Sequence, residues 1–170
     1  NHSNWVNDLA WSADGNRIVT GSKDSTAKVF DLTTNTRIST YTGHDGGIYS
    51  VIFDETGEHV LSACSKGKVL YWRTESGQAV KELANQSESI YRIAALGSAE
   101  HFIFSGAMPS VEMIDLQSGK KGKEFTSTCN NLSLAVSNDS RRILTGDSKG
   151  GLRLVDIESG ELLTRFTAAP

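Results

Sequence analysis

Apolar and polar residues alternate along this chain in short bursts that never lengthen into a helical period. "TAKVFD" (26–31) and "LRLVD" (152–156) change face residue by residue, as a strand with one side in a core does. "RIVTGS" (17–22), "HVLSAC" (59–64), "HFIFSG" (101–106) and "RRILTG" (141–146) are β-branched or apolar runs of strand length. Polar clusters precede them: "ADGN" (13–16), "ETGE" (55–58), "SAE" (98–100) and "NDSR" (138–141). A second set follows: "TTNT" (33–36), "ESGQ" (75–78), "QSGK" (117–120) and "ESGE" (158–161). Gly, Asn, Asp and Ser favour turns because they tolerate positive φ or bond their own backbone. The pattern predicts strands joined by hairpins, and no helix.

The bursts also repeat. "TGSKDSTAKVFD" (20–31) returns as "TGDSKGGLRLVD" (145–156), and the residues closing each unit, Asp31, Arg73, Asp115 and Asp156, follow at steps of 42, 42 and 41. Four units result, approximately 1–42, 43–84, 85–125 and 126–170, and they account for the whole chain. Each unit reads as four antiparallel strands forming one small sheet. Such a sheet cannot bury both faces alone, so it stacks on its neighbours. A period of about 40–45 residues with four strands per unit points to a β-propeller, an all-β fold of four-stranded blades.

At the level of motifs the chain resembles the WD-repeat (Trp-Asp) family, and the resemblance covers all four units. The second is the clearest: Gly43-His44, Val51-x-Phe53, a turn, and Trp72 where the family's Trp stands. The first supplies His2, Asp24 and Phe30-Asp31 in place of Trp-Asp. The third and fourth keep Ile114-Asp115 and Val155-Asp156 but read Asn85-Gln86 and Thr126-Ser127 in place of Gly-His. In this family a His, a Ser or Thr, an Asp and a Trp form a buried hydrogen-bond network within a blade. The resemblance therefore implies that His2, Asp24, His44 and Trp72 serve a structural network, with Thr20 or Ser22 in the first unit and Ser62 in the second. No unit carries the full set, since Lys66 stands where the second unit needs its Asp.

Repeats of this family usually close at about seven blades, so four suggest part of a seven- or eight-bladed ring. The expectation is that further blades from a longer chain, or a second copy of this one, complete it. The missing initial Met agrees with an excised segment.

Composition removes several alternatives. Among 170 residues, 38% are hydrophobic and 22% charged, the range of a folded domain rather than a disordered one. A net charge of −3 gives no footprint for nucleic acid or an anionic membrane. The basic run Lys120, Lys121, Lys123 reads as a solvated hairpin tip. Cys64 and Cys129 lack ligand spacing and are expected to be free thiols, so neither metal nor cofactor is expected. No signal peptide or membrane-spanning stretch is visible, which leaves the compartment open.

Several catalytic motifs are missing from the sequence: HExxH, a P-loop and CxxCH do not occur. "GHDGG" (43–47) precedes a strand, so it offers no helix N-terminus for a phosphate. His59 and His101 are one period apart, as structural residues are. The expected class is a non-catalytic protein-interaction scaffold. The alternative is a propeller appended to a catalytic or redox domain, positioning it or its substrate. By the resemblance, residues flanking the first apolar position of each inner strand line the entrance of the central channel. The strongest of these are Trp5, Asn7, Tyr49 and Tyr91, with Lys23 and Arg92 adjacent, a set suited to a protein or peptide partner.

Overall fold

The computed structural model describes residues 1–97 and 100–166. Ser98 and Ala99 of the turn read at 98–100 lie outside the described residues, as do residues 167–170 at the end of the fourth unit. The described residues form four four-stranded antiparallel sheets and no helix. None contains a helix long and apolar enough to cross a membrane. The first sheet is β1 (Val6–Trp11), β2 (Arg17–Ser22), β3 (Ala27–Asp31) and β4 (Thr36–Tyr41). The second is β5 (Ile48–Phe53), β6 (His59–Cys64), β7 (Lys68–Arg73) and β8 (Ala79–Asn85). The third is β9 (Ile90–Leu96), β10 (His101–Gly106), β11 (Ser110–Asp115) and β12 (Lys121–Thr126). The fourth is β13 (Asn131–Val136), β14 (Arg142–Asp147), β15 (Leu152–Asp156) and β16 (Leu162–Phe166). In each, strands pair in chain order, so every connection is a hairpin.

Three of the expected strands, at 17–22, 59–64 and 101–106, have the bounds read from sequence. The fourth begins at Arg142 instead of Arg141, because the Arg141 amide is taken by Asp139 Oδ1 at 3.0 Å inside the turn. Of the basic run only Lys120 lies in the hairpin connection. Lys121 and Lys123 belong to β12, where Lys121 Nζ lies 2.7 Å from Glu112 and Lys123 Nζ donates to the Ile157 carbonyl at 3.1 Å.

The turns explain the period. Asn35, Gly77, Gly119 and Gly160 have φ of 55°, 64°, 67° and 78° and occupy one repeat position. The backbone there must be left-handed to bring the fourth strand back in register, which favours Gly and admits Asn. Just before them, Asp31 Oδ1 accepts from the Thr33 and Thr34 amides, Asp115 Oδ1 from Ser118 N, and Asp156 Oδ1 from Ser159 N. Arg73 cannot accept, so the β7–β8 turn lacks this side-chain cap.

The chain divides into two compact units, Asn1–Ile93 and the residues from Ala94 onward. In the first, Val19, Ala27, Val29 and Tyr41 of one sheet form a core with Val51, Phe53, Val60, Leu70 and Trp72 of the next. In the second unit Ile103, Val111 and Phe125 pack with Ile143 and Val155. Burying each such side chain contributes about 1.5–3 kcal/mol. The first sheet leaves Leu9 and Trp11 exposed on its other face, and the fourth leaves Leu144, Leu152 and Phe166 exposed.

Candidate functional site

In the first sheet, the segment leading into β1, strand β2 and the β2–β3 turn bring His2, Thr20 and Asp24 together. His2 Nδ1 lies 3.0 Å from Asp24 Oδ2, and His2 Nε2 lies 2.8 Å from Thr20 Oγ1. Asp24 also accepts from Thr26 Oγ1 at 2.7 Å and from the Ser3 and Thr26 amides. Burial works against its charge, but the bonds from Thr26, Ser3 and His2 outweigh it and hold the carboxyl well below its ordinary range.

The second sheet builds the same corner differently. Trp72 Nε1 donates to Ser62 Oγ at 3.0 Å, and Ser62 Oγ shares a 2.7 Å hydrogen bond with His44 Nε2. Tyr41 stacks on Trp72 with centroids 4.9 Å apart and meets His44 edge-on at 5.8 Å. His44 Nδ1 is buried without a partner because Lys66 replaces the acceptor that Asp24 provides one repeat earlier. Burial lowers the His44 pKa to about 4. The glycines of "GHDGG" admit close packing rather than a phosphate: a Cβ on Gly47 would sit 3.2 Å from Lys23 Cα.

The side chains expected at the rim all fall in the first unit. Three β-bulges aim the first inner-strand residues. Pairing jumps from Val6–Ser22 to Asp8–Gly21, from Ile48–Cys64 to Ser50–Ala63, and from Asn131–Asp147 to Ser133–Gly146. Asn7, Tyr49 and Leu132 are thus the unpaired residues, and a bulge redirects such a side chain at a sheet edge. Asn7 Nδ2 donates to the Ile48 carbonyl at 2.8 Å. Tyr49 and Tyr91 meet edge to face at 5.4 Å. Trp5, 72% exposed, carries Lys23 Nζ 4.8 Å above its ring. Its partner is therefore Lys23, and the tyrosines form a separate pair.

Arg92 is not a free cation for an acidic partner. Its Nη1 lies 3.6 Å from Asp8 Oδ2 and donates to the Tyr49 carbonyl at 3.4 Å. The same Asp8 oxygen accepts from Ser50 Oγ at 2.9 Å and Val51 N at 3.0 Å, and Ser50 Oγ accepts from Ile93 N at 3.2 Å. This ladder joins three inner strands and was not anticipated. Its signal was available, because Asp8, Ser50 and Arg92 are one period apart.

At the opposite ends of these strands His59 Nδ1 and Tyr71 Oη both reach Asp54 Oδ2, at 3.0 and 3.1 Å, and the two rings stack at 4.6 Å. A cleft of about 590 Å³ opens beside them, lined by Asp14, Arg17, Glu55, Glu58, Arg73 and Glu75, with Arg17 paired to Glu75 at 3.0 Å. Among the described residues no cluster of three His, Cys, Asp or Glu could hold a metal, and both cysteines are free and buried.

Comparison with known proteins agrees with the repeat. The family model described as "WD domain, G-beta repeat" matches residues 1–31 and 35–73, the first two sheets. Autophagy-related protein 16 of Arabidopsis thaliana is 24% identical over 166 residues, 96% of this chain and 32% of that protein. WD repeat-containing protein 1 of Rattus norvegicus is 26% identical over 124 residues, covering 71% and 20%. COMPASS component SWD3 of Saccharomyces cerevisiae is 23% identical over 126 residues, covering 74% and 40%. The chain thus spans well under two thirds of the length of these curated relatives. Four four-stranded antiparallel sheets at a 42-residue period, blade-type hydrogen-bond corners and these matches together support the WD-repeat family, whose model covers the first two sheets.

Proposed function

We propose that this chain is a non-catalytic protein-interaction scaffold whose contact surface is the rim formed by Trp5, Asn7, Lys23, Tyr49, Tyr91 and Arg92. The observation that carries the reading is the built arrangement of the tyrosine pair. A bulge aims Tyr49, Tyr91 meets it at 5.4 Å, and Arg92 fixes the Tyr49 backbone from below. Preordered aromatic side chains lose little entropy on binding and contribute a large share of interface energy. With Arg92 engaged by Asp8, Lys23 on Trp5 is the cation left to meet a partner's carboxylate. SWD3, by its name a component of COMPASS, is a relative that works inside an assembly. The exposed faces carrying Leu9 and Trp11, and Leu144, Leu152 and Phe166, take further blades of a longer chain or of a second copy. The test is purification of the full-length protein with Trp5→Ala, Tyr49→Ala and Tyr91→Ala together. Loss of co-purifying partners with unchanged thermal unfolding supports the rim; retention of all partners by a folded triple variant refutes it.

A further inference from the structure

The junctions between successive sheets are built on one repeated contact. β2 packs on β5, where a Cβ added to Gly21 would lie 2.7 Å from Ile48 Cγ2. One repeat later the same positions are Ala63 and Ile90, again small against apolar. In the second unit β10 packs on β13, and there the two positions are Ser105 and Asn131. Ser105 shares a face with Ile103, and Asn131 stands directly opposite Asp147 in the β13–β14 ladder. Opposed residues carry their Cβ atoms about 5 Å apart on one side of the sheet. The repeat position of Asp147 is Cys64 opposite Ile48 and Gly106 in the third sheet, so the three slots are all polar only at the β10–β13 junction.

All three side chains are at least nine-tenths buried: Ser105 and Asn131 are 0% exposed and Asp147 7%. Ser105 Oγ, Asn131 Oδ1 and Asp147 Oδ2 each lack a hydrogen-bond partner. Their other polar atoms are engaged: Asn131 Nδ2 donates to the Met108 carbonyl at 3.4 Å, and Asp147 Oδ1 accepts from the Lys149 and Gly151 amides. What remains is one hydroxyl and two acceptors: Ser105 and Asn131 hold the positions that meet across the first junction, and Asn131 and Asp147 oppose one another in the ladder. A calcium ion takes about six to eight oxygens, more than these groups offer. A buried water makes about three hydrogen bonds, donating twice and accepting from a hydroxyl, which matches this set.

We propose that Ser105, Asn131 and Asp147 bind one buried water molecule as a fixed part of the β10–β13 junction. The water stands where Ile48 or Ile90 fills the equivalent space, and it satisfies groups whose burial is otherwise unfavourable. The experiment is a high-resolution crystal structure of the full-length protein and of its Asn131→Ile variant. The expected result is one isolated solvent peak within about 2.6–3.2 Å of all three groups, lost in Asn131→Ile. A direct Ser105–Asn131 hydrogen bond without a solvent peak overturns the proposal. So does density with five or more oxygens at ion-coordination distance, or a peak that persists in Asn131→Ile. If that variant does not fold, the wild-type map alone decides between these outcomes.

Discussion

Replacing Lys66 with Asp gives the second sheet the acceptor that Asp24 supplies one repeat earlier. In the first sheet that carboxylate lies 3.0 Å from His2 Nδ1 and takes the Ser3 and Thr26 amides. In the second, His44 Nδ1 is buried with no partner. An unbonded buried polar group costs about 1–3 kcal/mol, and a hydrogen bond to a charged group contributes about 1.5–3 kcal/mol. Desolvation of the new carboxylate and repulsion from Asp45, now paired with Lys68 at 3.0 Å, subtract from that gain. The expected net is about 1–2 kcal/mol of added stability at neutral pH. The pH dependence gives a second readout. Burial lowers the His44 pKa to about 4, against about 6.5 in an unfolded chain. Between those values the unfolded state binds more protons, so stability falls as pH falls from about 6.5 to about 4. The loss approaches about 3 kcal/mol at the acid limit. A carboxylate beside Nδ1 favours the imidazolium and shrinks that loss. Urea unfolding at a series of pH values, with the His44 ring followed by NMR, measures both effects. If Lys66→Asp is no more stable than Lys66→Ala and the acid slope is unchanged, the orphaned nitrogen is not a cost.

Trp72→Phe deletes the Nε1–H bond to Ser62 Oγ and leaves a cavity where the second indole ring stood, and should cost about 2–3 kcal/mol, while Trp72→Ala, at a site 0% exposed, should cost about 3–5 kcal/mol by chemical denaturation. Asp8→Ala leaves Ser50 Oγ and Val51 N without their acceptor, a loss of about 1–3 kcal/mol that Asp8→Asn recovers in large part. Faster hydrogen exchange at Val51 should accompany it. Arg73→Asp should add about 0.5–1 kcal/mol by bonding the Ser76 amide, as Asp115 and Asp156 bond theirs at Ser118 and Ser159. A lower unfolding midpoint for Arg73→Asp would contradict that role of the turn carboxylates.

The strands were legible because their two signals, alternation and turn residues, are local. β2, β6 and β10 needed nothing beyond adjacent residues, and the period followed from the turn carboxylates and their left-handed partners. The Asp24 and Trp72 corners were legible through the family's pattern. Three features were not. A bulge at Asn7 or Tyr49 leaves no mark on the apolar period, since the extra residue is itself a plausible strand residue. The Asp8–Ser50 bond joins residues 42 apart, so it shows only in the repeat spacing and not in either residue's neighbourhood. Arg92 looked like a free interface cation because its counterion lies two sheets earlier in the chain.

The inner-strand ladder has a direction. Asp8 of the first sheet accepts from Ser50 and Val51 of the second, and Ser50 in turn accepts from Ile93 of the third. The second sheet therefore presents an acceptor ahead of it and a donor behind, as a monomer of a polar filament does. Reversing the second sheet would take Ser50 Oγ and the Val51 amide away from the Asp8 carboxylate and leave the Ile93 amide without its acceptor. The order of the chain is written into the hydrogen bonds between its repeats, and a unit spliced in from elsewhere would have to carry the same polarity.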